Sequence, residues 1–251
     1  MALGAAARAA HAADRTVNAV SGLVIVCVLL FSGYQLWDAW RIQHGPDEVS
    51  ARLAQYKGPG GPSFRELLAL NPDVVGWLKL EGTRIDSPVV QGKDDSQYLS
   101  ADVFGQYSPA GSLFLAKGCA SDFSHQYNVI MGHHMTEGKM FGDLDLYREE
   151  GFMDAHHTGT LWLPHKTLSL EVVAVLSADA YDSALYRLPL PVNGFDLARR
   201  RIDELSLHRQ GQPVGADDRL VALSTCASGS ANERTVVICR VSGESAAGDT
   251  T

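Results

Sequence analysis

The stretch "VALSTCASGSANERTVVICR", from Val221 to Arg240, contains two apolar runs separated by small and polar residues. Such a pattern predicts two neighbouring β-strands joined by a turn. Cys226 ends the first run and Arg234 opens the second, so a hairpin would bring a thiol and a guanidinium together. A thiol attacks as its thiolate, which a nearby positive charge favours. A core cysteine beside a surface arginine explains the same spacing, and the spacing alone does not decide between them.

The segments before this hairpin also read as short strands. Eight runs with β-type patterning predict a mainly β fold, a closed or nearly closed, antiparallel-rich barrel of eight strands with helices before it. The runs span residues 74–80, 86–91, 111–116, 128–133, 158–164, 168–178, 219–226 and 234–241. Two helical insertions interrupt them, at 139–156 and at 195–210. In the second, Leu197, Ile202 and Leu205 form the predicted apolar stripe.

The N-terminal region contains 21 consecutive uncharged residues, 17–37, which matches the roughly 20 residues that cross a bilayer as a helix. Arg8 and Arg15 precede this run, and Asp38 and Asp47 follow it. The positive-inside rule then predicts a cytoplasmic N-terminus and an extracellular remainder. A cleavable signal peptide is the alternative, but the bulky residues after the run do not form a small-x-small cleavage site. A buried core helix is the second alternative.

The composition narrows the class of protein. Hydrophobic residues make up 45% and charged residues 20% of the 251 residues, as in a globular protein. The net charge of −8 argues against nucleic-acid binding, which needs a clustered basic face. Four cysteines are too few for a disulfide scaffold. Cys119 and Cys239 are a possible pair on the oxidising side of a membrane.

The histidine pair in "NVIMGHHM" follows an apolar strand, so one of its rings emerges at a strand end, as Cys226 does. A histidine within reach of a cysteine is the usual acid/base partner in acyl transfer through a thioester. Metal binding is the competing use, but neighbouring residues of a strand point to opposite faces, and the chain has no HExxH or CxxC motif. We therefore expect neither a metal nor another cofactor.

Together these motifs resemble the sortase family. The "LSTC" of 223–226, followed by Arg234, is similar to the sortase signature, although Ala222 stands where Thr is usual. The segment from Asn71 to Leu99, "GSLFL", "NVIMGHHMTEGKMFGDL" and the helix before the cysteine strand resemble class B sortases in order and spacing. The likeness covers about residues 71–241.

The resemblance implies a membrane-anchored cysteine transpeptidase of Gram-positive bacteria. Such an enzyme cuts a C-terminal sorting signal after its threonine and transfers the acyl group to a cell-wall or pilin amine. The resemblance implies that Cys226 is the nucleophile and that His133 is the acid/base. It implies Arg234 as the residue that orients the substrate or stabilises an oxyanion. His134 receives no role. Ala227 stands where several relatives carry an acidic residue, so a triad through that position is excluded.

The resemblance also implies a substrate groove and a domain plan. Asp95, Leu99 and Ser224 are the expected groove residues, although Asp95 stands where Asn is common. The expected plan is a cytoplasmic 1–16, an anchor at 17–37, juxtamembrane helices and linker at 38–70, the barrel at 71–241 and a disordered tail at 242–251. The alternatives are a catalytically silent peptide-binding barrel and a plain hydrolase with the same Cys-His pair.

Overall fold

The computed structural model describes residues 2–58, 60–226 and 232–246, with side chains from residue 14 onward and without that of Cys226. The chain divides into two compact units, Met1–His44 and Gly45–Thr251. The helices are α1 (Ala2–Leu53), α2 (Phe64–Leu70), α3 (Phe152–Ala155), α4 (Ser183–Tyr186) and α5 (Gly194–Leu205). The strands are β1 (Lys57–Gly58), β2 (Gly61–Pro62), β3 (Val74–Leu80), β4 (Asp86–Val90), β5 (Leu113–Leu115), β6 (Tyr127–Met131), β7 (Thr158–Trp162), β8 (Lys166–Asp179), β9 (Ser206–Arg209), β10 (Leu220–Cys226) and β11 (Glu233–Ala246).

Eight strands form a closed barrel, as the sequence predicts. Their order is β11-β10-β6-β5-β4-β3-β7-β8, and β8 pairs with β11 to close the ring. The pairings are antiparallel except for β4 with β5 and β6 with β10. All eight predicted runs correspond to strands of this barrel. Closure leaves no free edge within the ring, and this accounts for the long β8–β11 ladder from Glu233 to Ala246.

The barrel interior and one outer face form the core. The strands that carry the candidate site are rich in β-branched residues, and β10 from Leu220 to Thr225 is buried throughout. Helix α5 covers part of this sheet with Phe195, Ala198 and Ile202, which recur at helical spacing. The predicted stripe is wrong at Leu197, which is 48% exposed, because that position lies on the opposite side of the helix from Ile202.

The second insertion and the C-terminal tail differ from the predictions. The predicted helix at 195–210 ends at Leu205, and the following residues form β9, which pairs with β8 outside the ring. Residues 242–246, assigned above to a disordered tail, continue β11 and pair with the start of β8. The physical reason is the length of β8, which offers backbone partners as far as Lys166. Residues 247–251 lie outside the described part of the chain.

Helix α1 contains a stretch long and apolar enough to cross a membrane, with a mean hydropathy of 2.1 over its most apolar 18 residues. None of that window is buried by the protein. A signal sequence near an N-terminus has the same properties. The helix continues to Leu53, and from Gly45 onward it belongs to the barrel unit, where Leu53 is only 4% exposed.

Candidate active site

Two parallel strands bring the histidine and cysteine motifs together. Strands β6 and β10 run side by side, and Met131 is matched with Ser224 at the end of their pairing. The Gly132 N–H donates to the Ser224 carbonyl at 3.2 Å, so the ladder continues beyond β6. Extending the same register by two residues brings His133 level with Cys226. The two motifs are neighbours across strands although they are far apart in the chain.

The other neighbour of β10 supplies the arginine. Strand β11 runs antiparallel to β10, and Cys226 is matched directly with Arg234. The backbone at Cys226 therefore lies between the strand end that leads to His133 and the strand start that carries Arg234. Residues 227–231, which join the two strands and include Ala227, lie outside the described residues. The backbone of a cysteine, a histidine and an arginine thus lies on three adjacent strand ends at one end of the barrel.

A hydrogen bond to the Leu99 backbone orients the ring of His133. Its ring is partly exposed, and Nε2 lies 2.8 Å from the Leu99 carbonyl oxygen. A carbonyl only accepts hydrogen bonds, so Nε2 carries the hydrogen. In the neutral ring Nδ1 is then the basic nitrogen. The contact therefore orients the ring and leaves Nδ1 as the atom that can take up and release a proton.

The three predicted groove residues have different surroundings. Leu99 is 43% exposed and contacts His133 through its carbonyl. Asp95 accepts a hydrogen bond from the Lys117 backbone N–H at 2.7 Å, which ties the loop before Leu99 to the segment after β5. Ser224 is 4% exposed and lies two residues before Cys226 in the same strand. Two of the three thus lie beside the histidine or the cysteine, and Asp95 braces the loop that carries Leu99.

Tyr186, at the end of α4, is a site residue that no sequence motif indicates. Its hydroxyl lies 2.8 Å from Ser224 Oγ. Burial raises the pKa of Tyr186 to about 12, against the opposing effects of the Ser224 hydrogen bond and the positive charge of Arg234. The phenol is therefore neutral at physiological pH and holds α4 against the strand that ends in Cys226.

A second polar cluster connects His134 with strand β11 through Asp145. His134 Nε2 is 2.9 Å from Asp145 Oδ2, and the Thr235 hydroxyl donates to the other Asp145 oxygen at 2.7 Å. Asp145 belongs to the 3-10 helix Gly142–Arg148. Sequence reasoning assigns His134 no chemistry and does not identify Asp145, because only the fold brings residue 145 to β11.

The remaining described thiols outside the apolar stretch of α1 are structural. Cys119 and Cys239 are free and buried, so the possible disulfide between them is not formed. Burial raises the pKa of Cys119 to about 11 and that of Cys239 to about 12, so both are protonated at neutral pH. Among the described residues, no three His, Cys, Asp or Glu side chains converge to hold a metal ion.

Comparison with known proteins gives relatives in one family. Sortase B of Clostridium perfringens superposes with a TM-score of 0.66 at 30% identity, over 71% of this chain and 98% of that one. A Streptococcus pyogenes class B sortase involved in pilus biogenesis superposes with a TM-score of 0.63 at 33% identity, over 71% and 97%. Sortase B of Listeria monocytogenes is 29% identical over 215 residues, 81% of this chain and 87% of the relative. No family model matches.

Proposed function

The chain belongs to the class B sortases, which are cysteine transpeptidases, and we propose that it cleaves a C-terminal sorting signal after threonine through a thioester on Cys226. The observation that carries this proposal is the register of β6, β10 and β11, which matches Cys226 with Arg234 and, when it is extended by two residues, brings His133 level with Cys226. The roles of these residues follow from their chemistry.

In the first half-reaction, the Cys226 thiolate attacks the carbonyl carbon of the threonine and forms a C–S bond. The negative charge that develops on the carbonyl oxygen is stabilised by the Arg234 guanidinium, which stays charged at any working pH. The imidazolium of His133 gives its proton to the leaving amine as the C–N bond breaks. The products are a threonyl thioester and a released C-terminal peptide with a free amine.

In the second half-reaction, an acceptor amine attacks the thioester carbonyl. His133 removes a proton from this amine, the new C–N bond forms, and the C–S bond breaks to return the Cys226 thiolate. The Leu99 carbonyl favours the ring orientation in which Nδ1 exchanges the proton throughout. His133 gives one proton to the leaving amine in the first half-reaction and recovers one from the acceptor amine in the second. The proposed cycle therefore balances without a cofactor.

Leu99, Ser224 and Asp95 are proposed to form the wall of the groove that binds the sorting signal. Leu99 and Ser224 flank His133 and Cys226, while Asp95 stabilises the loop that presents Leu99. Exposed apolar surface at Leu99 suits an aliphatic side chain of the signal. The groove thus recognises an extended peptide whose threonine carbonyl reaches Cys226.

The apolar stretch of α1 is proposed to anchor the enzyme in the plasma membrane of a Gram-positive bacterium. Its flanking charges favour a cytoplasmic N-terminus and an extracellular catalytic barrel beginning near Asn71. Surface proteins with a sorting signal are the acyl donors in this proposal. A cell-wall precursor amine or a pilin amine is the acceptor, and the involvement of the Streptococcus pyogenes relative in pilus biogenesis supports the pilin amine as a candidate.

The test is peptide cleavage by the full chain in detergent, with and without an added amine. The wild type should release the C-terminal fragment, form a thioester adduct detectable by mass spectrometry, and give an amide product with the amine. Cys226→Ala should abolish the adduct, and His133→Ala and Arg234→Ala should lower kcat by at least about 100-fold. Cleavage that persists in Cys226→Ala would rule out the mechanism. If the wild type gives only the hydrolysed product both with and without the added amine, the protein is a hydrolase.

A further inference from the structure

His134 follows His133 directly but has a different partner. Its Nε2 atom contacts the Asp145 carboxylate at 2.9 Å, and both side chains are about one-quarter exposed, at 24% and 25%. Successive residues of an extended segment point to opposite sides, so the partner of His133 is the Leu99 carbonyl while His134 turns to the 3-10 helix. A contact that holds His134 therefore also fixes the backbone that presents His133.

Asp145 holds a second strand at the same time. Its Oδ1 atom accepts the hydrogen bond from Thr235, a fully buried residue that follows Arg234 in β11. One carboxylate thus links the segment of His133 with the strand of Arg234. Because the hydrogen bonds use different oxygens, they form together and constrain the distance between the two segments.

The residue on the other side of Arg234 is held as well. Glu233 accepts hydrogen bonds from Arg148 at 3.2 Å and from the Ser177 hydroxyl at 2.6 Å. The Ser177 hydrogen bond, followed by that of Arg148, lowers the pKa of Glu233, so this carboxylate is ionised at neutral pH. Residues 233 and 235 share one face of β11, and Arg234 lies on the other. The cluster therefore holds the strand from the face opposite to Arg234.

We propose that His134 and Asp145 are positioning residues, which set the spacing of His133 and Arg234 about Cys226. This inference rests on the proposed Cys-His-Arg chemistry. Neither side chain needs to contact substrate, since the pair acts through the backbone of the loop after β6 and through Thr235. Two charged side chains lie next to the pair: the Arg148 guanidinium donates to the Thr235 hydroxyl at 3.3 Å and pairs with Glu233 at 3.2 Å, and the charge of Asp145 acts on Glu233.

The experiment compares His134→Ala, Asp145→Ala and His134→Gln in the full chain. His157→Ala is the matched control, because the His157 ring is also hydrogen-bonded, but to the backbone carbonyl of Asp154 just before β7. In both alanine variants kcat for peptide cleavage should fall at least tenfold with KM within about twofold. His134→Gln should recover most of this loss, because its amide N–H reaches the position of His134 Nε2 and can donate to Asp145. The double alanine variant should be no worse than Asp145→Ala alone, because Asp145→Ala already removes both the His134 and the Thr235 hydrogen bonds.

A second readout does not depend on any peptide. The rate of Cys226 alkylation by iodoacetamide is measured against pH, and its inflection reports the Cys226–His133 interaction. We expect the inflection to move in His134→Ala and Asp145→Ala and to stay unchanged in His157→Ala. If the wild type cleaves no peptide, the proposed function fails, and the alkylation profile alone then supports or refutes the positioning role.

Several results would overturn the inference. One is that His134→Ala keeps the same kcat and the same alkylation profile as the wild type. Another is a loss of activity that follows only the unfolded fraction measured by thermal denaturation, with His134→Gln no better than His134→Ala. A change confined to KM would also contradict it, because that result would assign His134 to substrate binding.

Discussion

At the scale of single residues, chemistry depends on which groups are free to change protonation. Cys119 and Cys239 are held protonated by burial, whereas His133 has one nitrogen committed to the Leu99 carbonyl. A thiol buried among apolar groups is inert, and one at a strand end beside an imidazole and a guanidinium is reactive. Environment, and not residue type, thus distinguishes the cysteines of this chain.

This difference predicts selective labelling. In the full chain with Cys27→Ser, iodoacetamide at pH 7.5 should modify Cys226 and leave Cys119 and Cys239 unmodified. Both buried thiols should react once the protein is unfolded in guanidinium chloride, because unfolding removes the burial that raises their pKa values. Peptide mapping by mass spectrometry measures each site. Native-state labelling of Cys119 or Cys239 at the rate of Cys226 would contradict this assignment.

At the scale of elements, the loop between β6 and the 3-10 helix Gly142–Arg148 controls the histidine. The Phe141 N–H donates to the His133 carbonyl at 3.0 Å, and His134 pairs with Met140 as an isolated bridge. Lys139 in this loop forms an ion pair of 2.7 Å with Asp47, near the end of α1. The loop folds tightly back on itself and is held from both ends, which keeps His133 in place.

A close approach between backbone atoms in this loop requires glycine at position 142. An added Cβ would collide with the Met135 carbonyl oxygen, which belongs to the backbone and cannot rotate away. Gly142→Ala should therefore displace the loop, destabilise the protein by about 1–3 kcal/mol and lower kcat at least tenfold. Urea denaturation and peptide cleavage measure the two effects.

Gly58→Ala is the control for that substitution, because the nearest atom to its added Cβ would be the Gly61 carbonyl oxygen at 4.0 Å. Its activity and stability should match those of the wild type. Equal behaviour of the two variants would show that the loop tolerates a side chain at position 142 and does not depend on the close approach.

At the scale of the whole molecule, barrel closure buries ionisable groups that titrate only at high pH. Burial raises the pKa of Cys239 from its usual 9.0 to about 12 and that of Cys119 to about 11. Burial also raises the pKa of Tyr127 and of Tyr147. These groups hold their protons more tightly in the folded state than in the unfolded state. Raising the pH toward their pKa values therefore lowers the free energy of unfolding for all of them.

The free energy of unfolding should therefore be insensitive to these groups below about pH 9 and fall as the pH rises toward 12. Each of the two thiols should account for a loss of about 2 kcal/mol by about pH 10.5. Urea denaturation at pH 7.5, 9 and 10.5 tests this expectation. Cys239→Ala should show a shallower decline from a lower starting value. A stability that is constant up to pH 10.5 would refute it.

The sequence by itself determined the strands, the class of barrel and the three candidate catalytic positions. Those features depend on local patterns: β-branched runs, a strand ending in Cys226, a second beginning at Arg234 and a Gly-His pair after β6. The eight predicted strands and the class B sortase resemblance are confirmed. The roles of Cys226, His133 and Arg234 stay predictions that the register supports.

Only the tertiary structure decided which distant residues meet. The Leu99 carbonyl beside His133, Tyr186 on Ser224 and Asp145 between His134 and Thr235 depend on strand order and on loops without periodicity. The same holds for the end of α5 at Leu205 and the extension of β11 to Ala246, where available backbone partners outweigh local preference. A sequence pattern specifies an element through its own neighbours, whereas a site depends on contacts between elements that the pattern does not encode.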